Sequence, residues 1–443
     1  LPFFLWSSPI LASNNNIFGI HITQTEDLIR AKELVNSSGG DWGYVTIVIQ
    51  NNDQNFEKWQ KFFDLCRENH LIPLVRLATH LDGPVWVKPE ASETKNWANF
   101  LDSLNWPIKN RYVIVYNEPN YDKEWGGDAN PREYAKILDQ AITDFKNKNS
   151  DFFILNAGLD QAAPNSRETI DELNFLEQMN SEIPGIFEKI DGWATHSYPT
   201  GFIGQPWKTG RATIKGYLWE LEILKNLDSI SDLPVFITET GWLNQTTDDY
   251  IKQAYENTWL IDNKIMAVTP FILNYPYYKF AGFSWLDEKG NPYPQFEEIK
   301  TLNKVKGEPE QEEKYEIIEN RLPIFLPTNF TFEGKITLKN TGQSIWGEKP
   351  FLLKANTPRH PEQSEGSQIK LTDLSLPLGV KVKPQEEWTF SYSLKTPKLV
   401  GDYAYSWQGL PGKTLRVFQL FPTVSEPNSF LNDLLKKVFN FFY

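Results

Sequence analysis

Tyr112-Val-Ile-Val-Tyr-Asn-Glu-Pro-Asn120 and Pro234-Val-Phe-Ile-Thr-Glu-Thr-Gly-Trp242 share one plan: a short apolar run that stops on a glutamate. Runs of this kind read as strands buried on both faces, which belong in parallel sheets covered by helices. Working outward from these two, comparable runs lie at 17–22, 44–50, 71–78, 152–157, 192–196 and 266–273. The eight recur about every 36 residues, the spacing of a strand followed by a helix. Helix signals fill the gaps. Asn130-Pro131 offers a cap and a first-turn proline ahead of Tyr134, Leu138, Ala141, Ile142 and Phe145 at helical spacing. Ile214, Tyr217, Leu218, Leu221 and Leu224 repeat the pattern. An α/β fold follows, a (β/α)8 TIM barrel over 17–303. An open doubly wound sheet is the alternative, though no glycine fingerprint for a nucleotide accompanies the strands.

Around 304–314 the sequence turns charged and loses its periodicity, which reads as a linker. Residues 315–424 carry short alternating strands such as Phe332-Glu-Gly-Lys-Ile-Thr-Leu-Lys339, the pattern of an all-β sandwich. Residues 425–443 form an amphipathic helix pattern, whose apolar face docks on the protein itself or on a membrane surface. The opening 1–16, Leu-Pro-Phe-Phe-Leu-Trp and onward, reads either as a signal-peptide remnant or as an irregular segment covering the barrel base. A secreted or cell-surface location is the corresponding expectation. No apolar run is long enough to span a bilayer.

Against 44 Lys and Arg stand 57 Asp and Glu, a net charge of −13. Nucleic acid and anionic membranes demand clustered cations, so neither is the expected main partner. A neutral carbohydrate meets no such repulsion. The 16 Trp supply flat apolar rings that suit sugar faces, or simply fill the barrel. Cys66 is the one cysteine, which excludes an intrachain disulfide; it lies on the apolar face of a helical stretch and reads as buried.

A carboxylate closing a buried strand is costly unless it is exposed in a cleft, paired or used. Glu118 and Glu239 end the fourth and seventh strands, at the barrel face where active sites form, and three strands apart their ends oppose each other across the mouth. Glycosidic bond hydrolysis needs such a pair, one carboxyl to protonate the leaving oxygen and one to attack or to activate water. Arg76, on the third strand, pairs with a carboxylate there or makes a plain structural ion pair. No His-Glu-x-x-His, Gly-x-Ser-x-Gly or phosphate loop occurs, and the five His are scattered. No metal and no organic cofactor is expected.

Asn117-Glu118-Pro119 and Thr238-Glu239-Thr-Gly-Trp242 resemble the active-site segments of clan A of the glycoside hydrolases, a retaining group built on TIM barrels. The resemblance implies Glu118 as acid/base, Glu239 as nucleophile and Asn117 as a ligand of the sugar 2-hydroxyl. It also implies substrate contacts by His196 and Tyr198 at the end of the sixth strand, and an aromatic platform in 280–286 with Trp285 as its candidate. Trp125, Trp207 and Trp242 lie in loops on the same side, as further sugar subsites or as loop packing. The later Lys339-Asn-Thr-Gly-Gln-Ser-Ile-Trp346 resembles immunoglobulin-like modules, in which Trp346 and Trp407 would be core. A retaining β-glycosidase or endo-β-glycanase is the expected function. Its rivals are a non-catalytic carbohydrate-binding surface protein and a transglycosylase using the same residues.

Overall fold

Strands of the first half alternate between two cores, and that alternation sets the site. In the computed structural model, which describes residues 15–230, 232–243, 249–275, 280–357, 368–419, 433–435 and 437–439, the chain divides into two compact units, 1–310 and 311–443. The first unit carries β1 (Gly19–His21), β2 (Gly43–Gln50), β3 (Leu71–Ala78), β4 (Arg111–Ile114), β5 (Phe152–Leu155), β6 (Trp193–His196), β7 (Val235–Glu239) and β8 (Ile265–Val268). All pairings among them are parallel, in the orders β1-β2-β3-β4-β5 and β8-β7-β6. Parallel bridges Leu155–Gly192 and Phe18–Val268 link the two sheets at both edges. Mixed α/β architecture with parallel strands is therefore present, as the runs of apolar residues predict.

Side chains from alternate strand positions go to opposite faces. Ile72 and Leu74 of β3 join Tyr44, Tyr112, Phe236 and Ala267 in an inner cluster. Leu71, Val75 and Leu77 belong instead to the larger core that includes the helices. Those helices begin as their sequences direct. Asn130 caps Pro131–Lys148, its Oδ1 accepting from the Glu133 amide at 3.2 Å, and Asn55 caps Phe56–Glu68 in the same way. Cys66 is buried in the latter helix, and burial pushes its thiol well above the usual range, which leaves it unreactive.

Residues 304–310, expected as part of a linker, are bonded to the first unit. Gly307 donates its amide to the Asp41 carbonyl at 3.0 Å and Lys109 to that of Glu310 at 2.8 Å. The second unit contains two four-stranded sheets. Tyr315–Asn320, Thr331–Asn340, Glu387–Lys395 and Lys370–Leu371 make one; Phe325–Pro327, Lys413–Phe418, Gly401–Trp407 and Ala355–Asn356 make the other. Ile336, Leu338 and Phe390 of the first pack with Leu415, Val417 and Trp407 of the second in one core that also takes Trp346. The Asn of Lys339-Asn-Thr-Gly342 is wholly buried because it pins its own turn: Nδ2 donates to Ser344 and Val382 carbonyls, and Oδ1 accepts from the Gly342 amide. Of the N-terminal 1–16, only 15 and 16 lie within the described residues, so the signal-peptide reading falls outside them. Of the C-terminal helix, 433–435 and 437–439 are described; Leu435 is buried in the second unit's core and Phe439 packs on Phe330. Among the described residues no helix is long and apolar enough to cross a membrane.

Candidate active site

The inner columns of side chains run upward past the core and become polar. Arg76 stands two residues beyond Leu74 and His196 two beyond Ala194, so both continue the inner face. His21 pairs with Thr46 on the neighbouring strand and does the same. Glu239 would fall on the helix-facing side, with Ile237, if β7 alternated strictly. The register shifts instead: Thr195 pairs with Ile237, and the next residue, His196, pairs with Glu239. The extra residue, Thr238, is a bulge that turns the Glu239 carboxylate inward. Glu118 arrives by another device. Tyr116 (φ +71°) and Glu118 (φ +33°) adopt left-handed backbone just past β4, a conformation that costs a non-glycine residue about 1–3 kcal/mol. Bonds from the Glu118 amide to the Gly158 carbonyl and from the Tyr121 amide to the Glu118 carbonyl hold it there.

These residues meet in a cavity of about 240 Å³ whose lining includes Arg76, Asn117, Glu118, Glu124, Tyr198 and Glu239. Arg76 Nη1 donates to Glu239 Oε1 and, at 2.6 Å, to Asn117 Oδ1. Tyr198 Oη donates to Glu239 Oε2 at 3.1 Å. His196 Nδ1 lies 2.7 Å from Glu118 Oε1 and 3.9 Å from Glu239 Oε2. Donor atoms of Glu118, His196 and Glu239 all fall within 4.8 Å of one another.

Environment drives the two carboxyls apart in acidity. Burial would raise Glu239, but the charges of His196 and Arg76 outweigh it and hold the group down at about 2. Burial dominates at Glu118 and raises it, with the charges of Glu239 and Asp160 adding to the rise and the His196 bond opposing it. His196 is itself raised: burial lowers it, and the Glu239 charge and the Glu118 bond prevail. His21, buried, drops to about 3 and is neutral at pH 7. The surroundings therefore favour a proton on the Glu118–His196 pair beside an ionised Glu239. Three donors this close invite a metal ion, but the Arg76 guanidinium already occupies a Glu239 oxygen and would oppose any cation at short range.

No family model matches the chain, and no curated protein matches it. Among solved structures, the chain is similar to a monomeric β-xylosidase from Caulobacter crescentus CB15, at 11% identity and TM-score 0.48, over 87% of this chain and 97% of that one. It is similar to a β-mannanase from Thermomonospora fusca at 16% identity and TM-score 0.43, over 64% and 88%. An endo-β-1,4-glucanase from Xanthomonas axonopodis pv. citri gives 10% and 0.45, over 64% and 97%. These likenesses are remote, so the chemistry is argued from the site itself.

Arg76, Asn117, Glu118, Tyr198 and Glu239 are brought together, with His196 behind Glu118. Three of the four tryptophans lie elsewhere than expected. Trp125 is completely buried between Tyr116 and Tyr134, and its ring fills the core where a sugar subsite is expected. Trp285 is buried in the same core and is no platform. Trp242 is buried too, its Nε1 donating to the Gly204 carbonyl at 2.8 Å. Trp207 is 61% exposed, edge-on to Tyr250, and outside the described lining of the cavity. The aromatic walls are Trp86, Phe202, Phe271, Phe280 and Phe283 instead. Phe280 and Phe283 lie in the same stretch as Trp285, at the two ends of the short 3-10 turn Ala281–Phe283, and line the cavity while the indole is buried. Also missed were His21, whose signal is a histidine interrupting an apolar run at an inner position, and Glu124, six residues beyond Glu118.

Proposed function

We propose that the chain is a retaining glycoside hydrolase acting on β-linked glycans through a glycosyl-enzyme, with Glu118 as acid/base and Glu239 as nucleophile. The observation that carries this reading is the meeting of two carboxyls, with donor atoms within 4.8 Å of each other, in one cavity whose surroundings push Glu118 up and hold Glu239 down. Retaining enzymes place their carboxyls about 5 Å apart, whereas inverting ones leave room for a water at roughly 6.5–9.5 Å. Eight parallel strands bridged at both edges support a (β/α)8 barrel as the scaffold, with the site at the C-terminal ends of its strands. The second unit we read as an immunoglobulin-like sandwich without a part in catalysis, and the whole as a secreted or cell-surface protein, where polymeric glycans are met.

In the first step the Glu118 carboxyl gives its proton to the glycosidic oxygen while a Glu239 oxygen bonds the anomeric carbon and the C–O bond to the leaving alcohol breaks. In the second, the Glu118 carboxylate takes a proton from water, whose oxygen bonds the anomeric carbon and frees Glu239. Arg76 keeps the nucleophile ionised, Tyr198 orients it through its hydroxyl, and His196 orients the acid. The test uses activated aryl β-glycosides. Glu239→Ala should reduce hydrolysis to background while retaining the fold. Glu118→Ala should lose about 10²–10⁴-fold and recover in part with azide, giving a β-glycosyl azide. Full activity in Glu239→Ala, or an α-azide product, overturns the assignment.

A further inference from the structure

The cavity holds a third carboxyl that the two displacement steps leave unused. Glu124 sits on the short 3-10 turn Asp122–Glu124 that follows β4, and it lines the same cavity as Glu118 and Glu239. Its Oε2 accepts from Asn117 Nδ2 at 3.2 Å. The other end of that amide, Oδ1, accepts from Arg76. Asn117 is thus fixed at both ends, and Glu124 is tied through it to the cation that holds the nucleophile. Glu124 Oε1 has no hydrogen-bond partner among the described residues. Burial and then the Glu118 charge push the carboxyl up to about 7, against the Asn117 bond, so near neutrality the group is poised to gain from any further donor. A carboxylate accepts and does not donate, and its strongest complement in an uncharged carbohydrate is a hydroxyl.

We propose that Glu124 is a specificity-determining residue whose free carboxyl oxygen accepts a hydrogen bond from one hydroxyl of the sugar seated between Glu118 and Glu239. This rests on the glycosidase reading and sharpens it, because a pocket built to bond a hydroxyl strongly rejects the analogue that lacks it. The substrate class is then a sugar bearing that free hydroxyl, and substituting or epimerising it removes the sugar from the class.

A double-mutant cycle between protein and substrate tests this. An aryl glycoside that the wild type hydrolyses is compared with its monodeoxy analogues, using wild type, Glu124→Ala and Glu124→Gln. On the parent sugar Glu124→Ala should lower kcat/KM about 10- to 100-fold, the size of a hydrogen bond to a charged group. For one monodeoxy analogue the same substitution should cost less than about threefold, because the partner is already gone. Glu124→Gln keeps an acceptor of the same shape and should recover most of the loss; it also serves for the cycle if the alanine variant does not fold. An equal penalty on the parent and every analogue would mean that Glu124 acts only through Asn117 or the fold, and overturns the proposal while leaving the glycosidase reading intact. A folded wild type that hydrolyses none of the aryl glycosides overturns the parent reading, and this one with it.

Discussion

Two pairs of glutamates in the first unit, one lining the cavity and one sealed between helices, live by opposite rules. Glu118 and Glu239 are surrounded by Arg76, His196, His21 and the Tyr198 hydroxyl, and one of the two stays ionised. Glu172 and Glu220, on helices Glu172–Glu182 and Gly216–Asp228, are fully buried, and apart from each other no hydrogen-bond partner among the described residues reaches their oxygens. Burial first, and then the Glu220 charge, raises Glu172 well above the carboxylate range. Arg211 opposes this from a distance, being bonded to Asp171 and to the Gln161 carbonyl. The contrast teaches what the cations of the site are for. Glu172, without them, is pushed toward its protonated form; Glu239, with them, is held as an anion in a place where water solvates it poorly.

The sharpest way to break this comparison is to remove the cation from the working pair. Arg76→Leu leaves Glu239 buried and unbalanced, and breaking such a pair costs about 3–5 kcal/mol. The sign with pH is specific. A Glu239 held at about 2 adds stability above the unfolded carboxyl range, and loses it as pH falls through that range toward 2. In Arg76→Leu the held-down pKa rises, so this contribution shrinks at neutral pH, and the acid limb of kcat/KM moves upward into the measurable range. Urea unfolding at pH 7 and a pH–rate profile check both. A variant with wild-type stability and an unmoved acid limb would dissolve the distinction between the two pairs.

A gentler perturbation displaces a neighbour of Glu118 without deleting it. A Cβ built on Gly158 would stand 2.2 Å from His196 Cδ2, far inside contact, so Gly158→Ala must push the imidazole away from Glu118. Misplacement of about an ångström in a catalytic group costs up to roughly 10²-fold in rate. The expected result is a fall of about that size in kcat with little change in KM, measured on an aryl glycoside, together with a shift of the alkaline limb, which the proposed acid role of Glu118 would set.

The idle pair gives the third test. Native Glu172 keeps a proton that the unfolded chain loses above the usual carboxylate range, so stability from this pair is full in acid and declines as pH rises. Replacing both Glu172 and Glu220 by Gln should remove that decline, raising stability by about 1–3 kcal/mol at pH 8 and by almost nothing at pH 4. Activity should be unchanged. Melting temperatures at the two pH values decide it.

How far the sequence reveals this site depends on which physics each residue obeys. Arg76 and His196 follow strand alternation, and Glu118 and Glu239 follow the rule that a carboxylate ending a buried strand must be used; all four are legible in the chain. The orientation of Glu239 is not, because it depends on the Thr238 bulge, and a bulge leaves no mark in apolar periodicity. Glu118 likewise relies on left-handed backbone at two non-glycine residues, which no residue type announces. The cavity walls are the least legible part. Aromatic residues in loops look alike in sequence, and a step of two residues decides between the cavity and the core, as Phe283 and Trp285 illustrate.

That ambiguity supplies the smallest of the expected effects. Trp207 is the most exposed of the loop tryptophans and touches Tyr250 but not the described cavity lining, whereas Trp86 lines the cavity directly. Trp207→Ala removes a surface ring with one edge contact, so stability should change by no more than about 0.5 kcal/mol, and KM for a monosaccharide aryl glycoside should stay within about twofold. Trp86→Ala, by contrast, should raise KM several-fold on the same substrate, because it strips an apolar wall from the cavity beside the two carboxyls. If Trp207→Ala weakens only a long oligosaccharide, its ring binds sugar units remote from the scissile bond, and the boundary of the site extends past the cavity. If both variants behave alike on the short substrate, the wall has been misassigned, and the separation of cavity aromatics from packing aromatics fails at the point where the structure draws it most clearly.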